Sequence, residues 1–151
     1  MEALALADRV LLLDGGRAVQ EGPPDEIYDH PKTLFAAEFM GSNNRLPGRI
    51  AELRGSRARI TSNEWELWGE LQADKKVGDD ATAVVRLERV RIADHPGENL
   101  IPASLESAVY LGERWDHLLR VGGVRVRAWT RDPPPPAPHF LNFPAPWVWV
   151  F

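Results

Sequence analysis

Apolar residues first run together and then alternate along this chain. Ala3 to Ala7 are strong helix formers closed by Asp8 and Arg9. Val10 to Leu13 is a continuous apolar run, which predicts a short strand. Asp14-Gly15-Gly16 is a tight-turn signal, so Arg17 to Glu21 is the predicted return strand of a hairpin. Gly22-Pro23-Pro24 opens a helix with Asp25 and Glu26 in its first turn, where the helix dipole favours acids. Pro31 stops that helix. Thr33 is placed to cap a second, whose Phe35, Phe39 and Met40 fall near one face and which Gly41 ends. A lone hairpin is marginal in water and this one is without sheet partners, so Val10 to Leu13 is expected to be exposed, swapped or disordered.

From Leu46 the period changes to two. Arg49 to Leu53 and Arg57 to Thr61 alternate on either side of a turn at Gly55-Ser56. Trp65 to Leu71 is a third strand, with Leu67 and Leu71 on one parity and Trp68 on the other. Lys75 to Asp80 is a polar loop. Ala81 to Ile92 is the longest predicted strand, with a slip between Leu87 and Val90 of the kind a β-bulge produces. Asp94 to Asn99 is a loop by composition. Ser107 to Leu111 and Trp115 to Val121 flank a Gly112-Glu113 turn. Gly122-Gly123 is a second tight turn, after which Val124, Val126 and Ala128 face one way and Arg125, Arg127 and Trp129 the other. Pro133 to Pro136 is an extended connector. Trp147 to Phe151 is the closing strand. The predicted class is mainly β: a small, closed or partly open OB-type barrel preceded by a short α/β piece. Residues 1–45 form that piece and residues 46–151 the barrel domain.

Composition narrows the chemistry. The chain has 151 residues and a formal net charge of -4, which argues against a dedicated nucleic-acid binder. It has no cysteine, which excludes disulfides and thiolate metal sites. No signal peptide is visible, and no apolar run is long enough to span a membrane.

The order MEALALADRV, LLLDGGRAVQEG, PPDEIYDHP and LFAAEFMGSNN, collinear from Met1 to about Pro47, resembles the ATP-binding subunits of ABC importers of the maltose, polyamine, iron and sulfate type. In that family these pieces follow a Thr-His-Asp-Gln segment carrying the switch histidine, and Met1 fits the position after its glutamine. More loosely, VVRLERVRI resembles the family's VRPE-type strand, with Leu87 where a proline is usual. ESAVYLGERWDHLLRVGGVRVRAW resembles its YLG segment and two following strands, and PAPWVWVF its closing strand. Thr61 to Gly78 rests on the hydrophobic pattern alone. The resemblance implies a remnant of the ATPase domain at residues 1–45 and a transport-associated OB (TOBE) regulatory domain at 46–151. It implies a homodimer joined through the regulatory domains, in a parent protein that uses ATP and Mg. It also implies permease subunits and a solute-binding protein as partners, and a place in the cytoplasm at the inner face of the membrane. GSNNRLPG slightly favours a polyamine, iron or phosphonate-like solute.

The chain itself is expected to be no enzyme and to hold no cofactor. It contains no Gly-Lys pair, so the G-x-x-x-x-G-K-[ST] phosphate loop is missing. Pro31-Lys32-Thr33 ends in the right letters without the glycines. An LSGGQ-like signature is missing too. No metal site is expected, because His30, His95, His117 and His139 are scattered. Asp79 with Asp80, or Asp94 with Glu98, are candidate carboxylate pairs, but acids in loops more often serve turns.

Two alternatives carry different chemistry. Arg57, Arg59, Arg86, Arg89, Arg91, Arg125 and Arg127 project from strands near Trp65, Trp68, Trp115 and Trp129, as in barrels that bind single-stranded nucleic acid. Against this, the arginines have Glu52, Glu66, Glu88 and Glu113 as neighbours, so no nucleic-acid partner is expected. Arginines and backbone amides could also hold a small oxyanion. Trp115, Trp129, Trp147 and Trp149 are the candidate interface residues, since tryptophan is enriched at binding hot spots. Trp147 and Trp149 share one parity of the last strand, and Val148 and Val150 the other, so one face meets the core and a neighbouring lobe can cover the other.

Overall fold

A computed structural model of the chain describes residues 7–93 and 99–151. The predicted helix at 3–7, apart from Ala7, lies outside the described residues, as do the loop residues Asp94 to Glu98 with His95. Twelve strands are described: β1 (Val10–Asp14), β2 (Arg17–Gly22), β3 (Asn43–Arg54), β4 (Arg57–Thr61), β5 (Glu66–Leu71), β6 (Asp80–Arg86), β7 (Arg91–Ala93), β8 (Leu100–Tyr110), β9 (Trp115–Val121), β10 (Val124–Thr130), β11 (His139–Asn142) and β12 (Trp149–Val150). Two short helices, α1 (Pro24–Asp29) and α2 (Leu34–Met40), lie between β2 and β3.

Within the described residues the hairpin and the two helices of the lead piece form where the pattern predicts them, with two differences: Val10 to Leu13 packs through Leu12 onto the helices, and α2 buries another face. β1 and β2 pair antiparallel, and Leu12 turns inward onto Ile27, Ala36 and Met40 while Leu11 and Leu13 are exposed. The Thr33 hydroxyl accepts a hydrogen bond from the Ala36 amide at 3.1 Å and so caps α2. The buried face of α2 is Ala36, Ala37 and Met40, not the aromatic face. Phe39 is exposed and stacks on Phe35, because the small alanines let the helix approach the barrel more closely than a phenyl ring would.

Strands β12-β5-β4-β3-β6 close into a five-stranded barrel, with β12 parallel to β5 and the other pairs antiparallel. Alternation places the side chains: Ala58 and Ile60 of β4 point into the barrel, Arg57 and Arg59 away. Val148 and Val150 likewise face the core. A second antiparallel sheet runs β10-β9-β8-β11-β7 and shares the same core, since Leu119, Val121, Val126, Ala128, Leu141 and Phe143 pack in one cluster with the barrel interior.

Three departures from the sequence pattern build this second sheet. The predicted strand 81–92 is not bulged but broken: a 3-10 turn at Leu87–Arg89 carries the chain from β6 in the barrel to β7 in the other sheet. β8 is twice the predicted length, beginning at Leu100. β11 is short and lies among prolines, where the pattern shows no strand. The two sheets are stitched by an asparagine with φ of 52°, Asn99. Its side chain accepts from the Trp68 amide at 2.9 Å and donates to the carbonyl of Phe143.

Candidate functional site

The lead helices meet the barrel at one buried cation. Arg86 ends β6 with its side chain fully buried, although the alternation there reads as an outward arginine. Its guanidinium donates to the carbonyls of Ala37 at 2.5 Å and Tyr28 at 2.9 Å, and to the Asn43 side-chain oxygen at 2.9 Å. It lies 4.1 Å from the Tyr28 ring centre and 5.0 Å from that of Trp149. Among the described residues no carboxylate is paired with it. Carbonyl dipoles and ring faces compensate the charge, and burial lowers its pKa from the usual arginine value. An added Cβ at Gly41 would fall 2.8 Å from Nη1 of Arg86, so a glycine at the end of α2 is what admits the guanidinium.

Around this cation the contacts continue. The Tyr28 hydroxyl donates to the Glu88 carboxylate. Burial, then that hydrogen bond and the Glu88 charge, push the phenol up to about 12. Arg89 pairs with Asp29 at 2.9 Å and stacks 3.4 Å over Trp147. Arg45 pairs with Glu38. Each bond joins α1 or α2 to the barrel or to the turn that follows β6.

Beside this junction an open groove of about 940 Å³ separates the lead helices from the second sheet. Tyr28, Met40 and Ser42 form one side, and Trp129 and the strap Arg131 to Pro135 the other. Arg114 stacks on Trp129 at 3.7 Å, and neither its Nε nor the Trp129 indole nitrogen, both covered, has a hydrogen-bond partner among the described residues.

The four candidate tryptophans occupy unlike settings. Trp149 is buried within the chain, between Ala37 and Val84, so the chain's own lead helix covers it. Trp147 lies under Arg89 in a 3-10 turn, and Trp129 under Arg114 in the groove. Trp115 is half-buried and packs on Tyr110, with ring centres 5.3 Å apart. That ring adjoins an exposed apolar run, Val109-Tyr110-Leu111.

The arginine rows are largely matched by acids. Arg57 pairs with Glu70, Arg59 with Glu66, Arg120 and Arg125 with Glu106, and Arg127 with Asp116. The expected acidic neighbours thus exist, though several of the partners differ from the sequence neighbours. Asp80 pairs with Arg49, and Asp79 accepts the Lys76 amide in a turn. Among the described residues no group of histidines and acids has metal-binding geometry. His117 is fully buried, with Nδ1 3.3 Å from the Ala128 carbonyl. Burial lowers its pKa, and the Ala128 bond and Asp116 act the other way. No helix among the described residues is long and apolar enough to cross a membrane.

The pattern of the sequence did not mark Tyr28, Asn44 or Asn99. The signal for Arg86 was indirect: a basic residue in a run, Ala83-Val84-Val85, that is otherwise buried.

No protein-family model matches the chain. Curated relatives do. It is 30% identical over 127 residues to the spermidine/putrescine import ATP-binding protein PotA of Pseudomonas fluorescens, covering 83% of this chain and 34% of that protein. It is 30% identical over 145 residues to the Fe(3+) ions import ATP-binding protein FbpC 2 of Rhizobium meliloti, covering 87% of this chain and 35% of that one. The sulfate/thiosulfate import ATP-binding protein CysA of Burkholderia pseudomallei is 34% identical over 120 residues, covering 66% of this chain and 34% of that protein. The chain thus spans about a third of the length of the curated relatives it matches. Among solved structures, the cytoplasmic molybdate-binding protein ModG matches with a TM-score of 0.58 at 10% identity, over 71% of this chain and 94% of that one. That likeness establishes an OB-type fold.

Proposed function

We propose a role for a chain that is homologous, along most of its length, to the ATP-binding subunits of ABC importers: it is the C-terminal regulatory portion of such a subunit. Residues 1–45, the last three of them already in β3 of the barrel, continue the ATPase domain, and residues 46–151 form the regulatory domain that keeps two subunits associated. The parent protein couples ATP hydrolysis to solute uptake, works with permease subunits and a solute-binding protein, and sits at the inner face of the membrane. Of the polyamine, iron and phosphonate-like solutes that the linker favours, the spermidine/putrescine and Fe(3+) relatives support the first two, and a sulfate/thiosulfate relative stands beside them. This chain, without a phosphate-binding loop, hydrolyses nothing by itself.

One observation carries the reading. The homology runs through both the lead piece and the barrel, and the buried Arg86 bonds one to the other. A free-standing binding barrel has no use for such a lead piece. The paired arginine rows also weaken the nucleic-acid reading, because matched charges leave little field for phosphates.

For association, the surface we favour is the tip of the β8–β9 hairpin. Val109, Tyr110 and Leu111 are each at least half exposed, and Trp115 backs them. An isologous contact places the same tip on both copies. Sedimentation velocity of the chain tests this. A dimer is expected, with Tyr110→Asp/Leu111→Asp sedimenting as a monomer; a dimer that this variant leaves intact would reject the tip as the interface.

A further inference from the structure

We propose that the groove between the lead helices and the second sheet is a binding site for a small organic anion with an apolar body. Its floor is apolar: Met40 and Val90 are buried, and Ile92 and Trp129 half-buried. Its volume of about 940 Å³ lies in the range of sites that hold small molecules.

The unpaired donors favour an anion. Arg91, Arg114 and Arg131 line the groove, and so do Glu88, Glu113 and Asp132, so the formal charges balance. Their engagements do not. Glu88 is held by the Tyr28 hydroxyl. Arg114 takes Glu113 at 3.6 Å, with that carboxylate 82% exposed. That leaves Arg91 and Arg131 without an ion pair among the described residues; Glu88 keeps its charge beneath the neutral phenol, so two carboxylates, Glu88 and Asp132, remain in the lining, neither of them paired with either arginine. Elsewhere on the same sheet, Arg120, Arg125 and Arg127 are all paired with acids. Donors are also in surplus on the Trp129 wall, where the indole nitrogen and Nε of Arg114 lack acceptors. A carboxylate between Arg91 and Arg131, with a small turn of Arg114, supplies them. Because one side of the groove is the lead piece and the other the second sheet, an occupant bridges the two. The site depends on the groove alone and holds whether or not the chain is part of a transporter.

The test uses three probes with one body, namely 4-phenylbutyrate, its neutral amide and 4-phenylbutylamine, in a titration of the full chain followed by nitrogen-15 NMR. The Trp129 indole resonance is assigned with Trp129→Phe. The acid is expected to move the Trp129 indole and Arg114 Nε resonances with a Kd of about a millimolar. The amide and amine should bind about tenfold more weakly, and Arg91→Gln/Arg131→Gln should remove the acid's advantage. Equal binding of acid and amide, preference for the amine, shifts centred on the Val109 to Leu111 tip, or no shift at about 5 mM acid would each overturn the proposal.

Discussion

The side-chain amide of Asn44 faces the backbone of Arg127 as a neighbouring strand would: it donates to the Arg127 carbonyl and accepts from the Arg127 amide, both at 2.8 Å. β10 is the last strand of its sheet, so this amide completes at one residue the ladder that β10 lacks on its outer edge. Asn44 belongs to β3 of the barrel, and its hydrogen bonds therefore join barrel to sheet.

Asn44→Ala is expected to lower stability by about 1–3 kcal/mol, the range for two hydrogen bonds lost at a buried position. A urea titration of both proteins measures it. A change below about 0.5 kcal/mol would mean water replaces the amide without cost, and the link between the sheets would lie elsewhere.

Arg86→Met removes the buried charge and strands the Tyr28 carbonyl and the Asn43 side-chain oxygen, while the Ala37 carbonyl keeps the Asn43 amide. Unsatisfied acceptors cost roughly 1–3 kcal/mol each, offset in part because no cation need then be desolvated. The expected outcome is local. Limited proteolysis should cut the lead piece between residues 22 and 45 much faster, while the barrel resists. Arg86→Lys should fall between the two, since an ammonium cannot reach all three acceptors in the geometry of the fork. Uniform loss of protection across the chain would contradict the role of Arg86 as the local tie.

His117 makes stability depend on pH. Its folded pKa lies below the ordinary value of 6.5, chiefly through burial. As pH falls below that value the unfolded chain takes a proton first, so the folded state loses stability until the folded pKa is passed. Above the ordinary value the contribution is fully present. The loss has a limiting slope of about 1.4 kcal/mol per pH unit. His117→Leu, close in volume, should remove this part of the slope between pH 7 and 5 in urea titrations. The same slope in both proteins would assign the pH dependence to other groups.

Gly122 has φ of 56°, and a Cβ there would fall 1.6 Å from Oε2 of Glu64. The same oxygen accepts the Gly123 amide at 2.9 Å, so the β9–β10 turn closes on the barrel through Glu64. Gly122→Ala should cost about 1–3 kcal/mol from the left-handed backbone and the clash together. Adding Glu64→Ala should restore the part due to the clash and leave the backbone part. Strict additivity in a double-mutant cycle would show that the two residues do not meet in solution.

Local rules made much of this fold legible. The hairpin at Asp14-Gly15-Gly16, the Thr33 cap, the alternation of β4 and β10, and the division of Val148 and Val150 from Trp149 follow from periodicity and turn chemistry. What was hidden is the second sheet. β11 has four residues between prolines and is strand only because β8 and β7 flank it. The chain changes sheets at Leu87–Arg89, where a break in alternation reads equally well as a bulge. The groove was invisible for the same reason. Tyr28, Trp129 and Arg131 share no sequence pattern and meet only because Arg86 docks the lead helices beside β10. Nor does any rule of spacing turn Arg86 inward, since its acceptors lie on α1, α2 and β3.

The central claim is that this chain acts as part of an importer's ATP-binding subunit. It is tested most directly by immunoprecipitation from detergent-solubilised membranes of the source cells, using antibody to the chain and mass spectrometry of what is recovered. The account predicts that a multi-spanning permease subunit comes down with it in near-equal amount. Recovery from the soluble fraction alone, with no integral membrane protein, would contradict it.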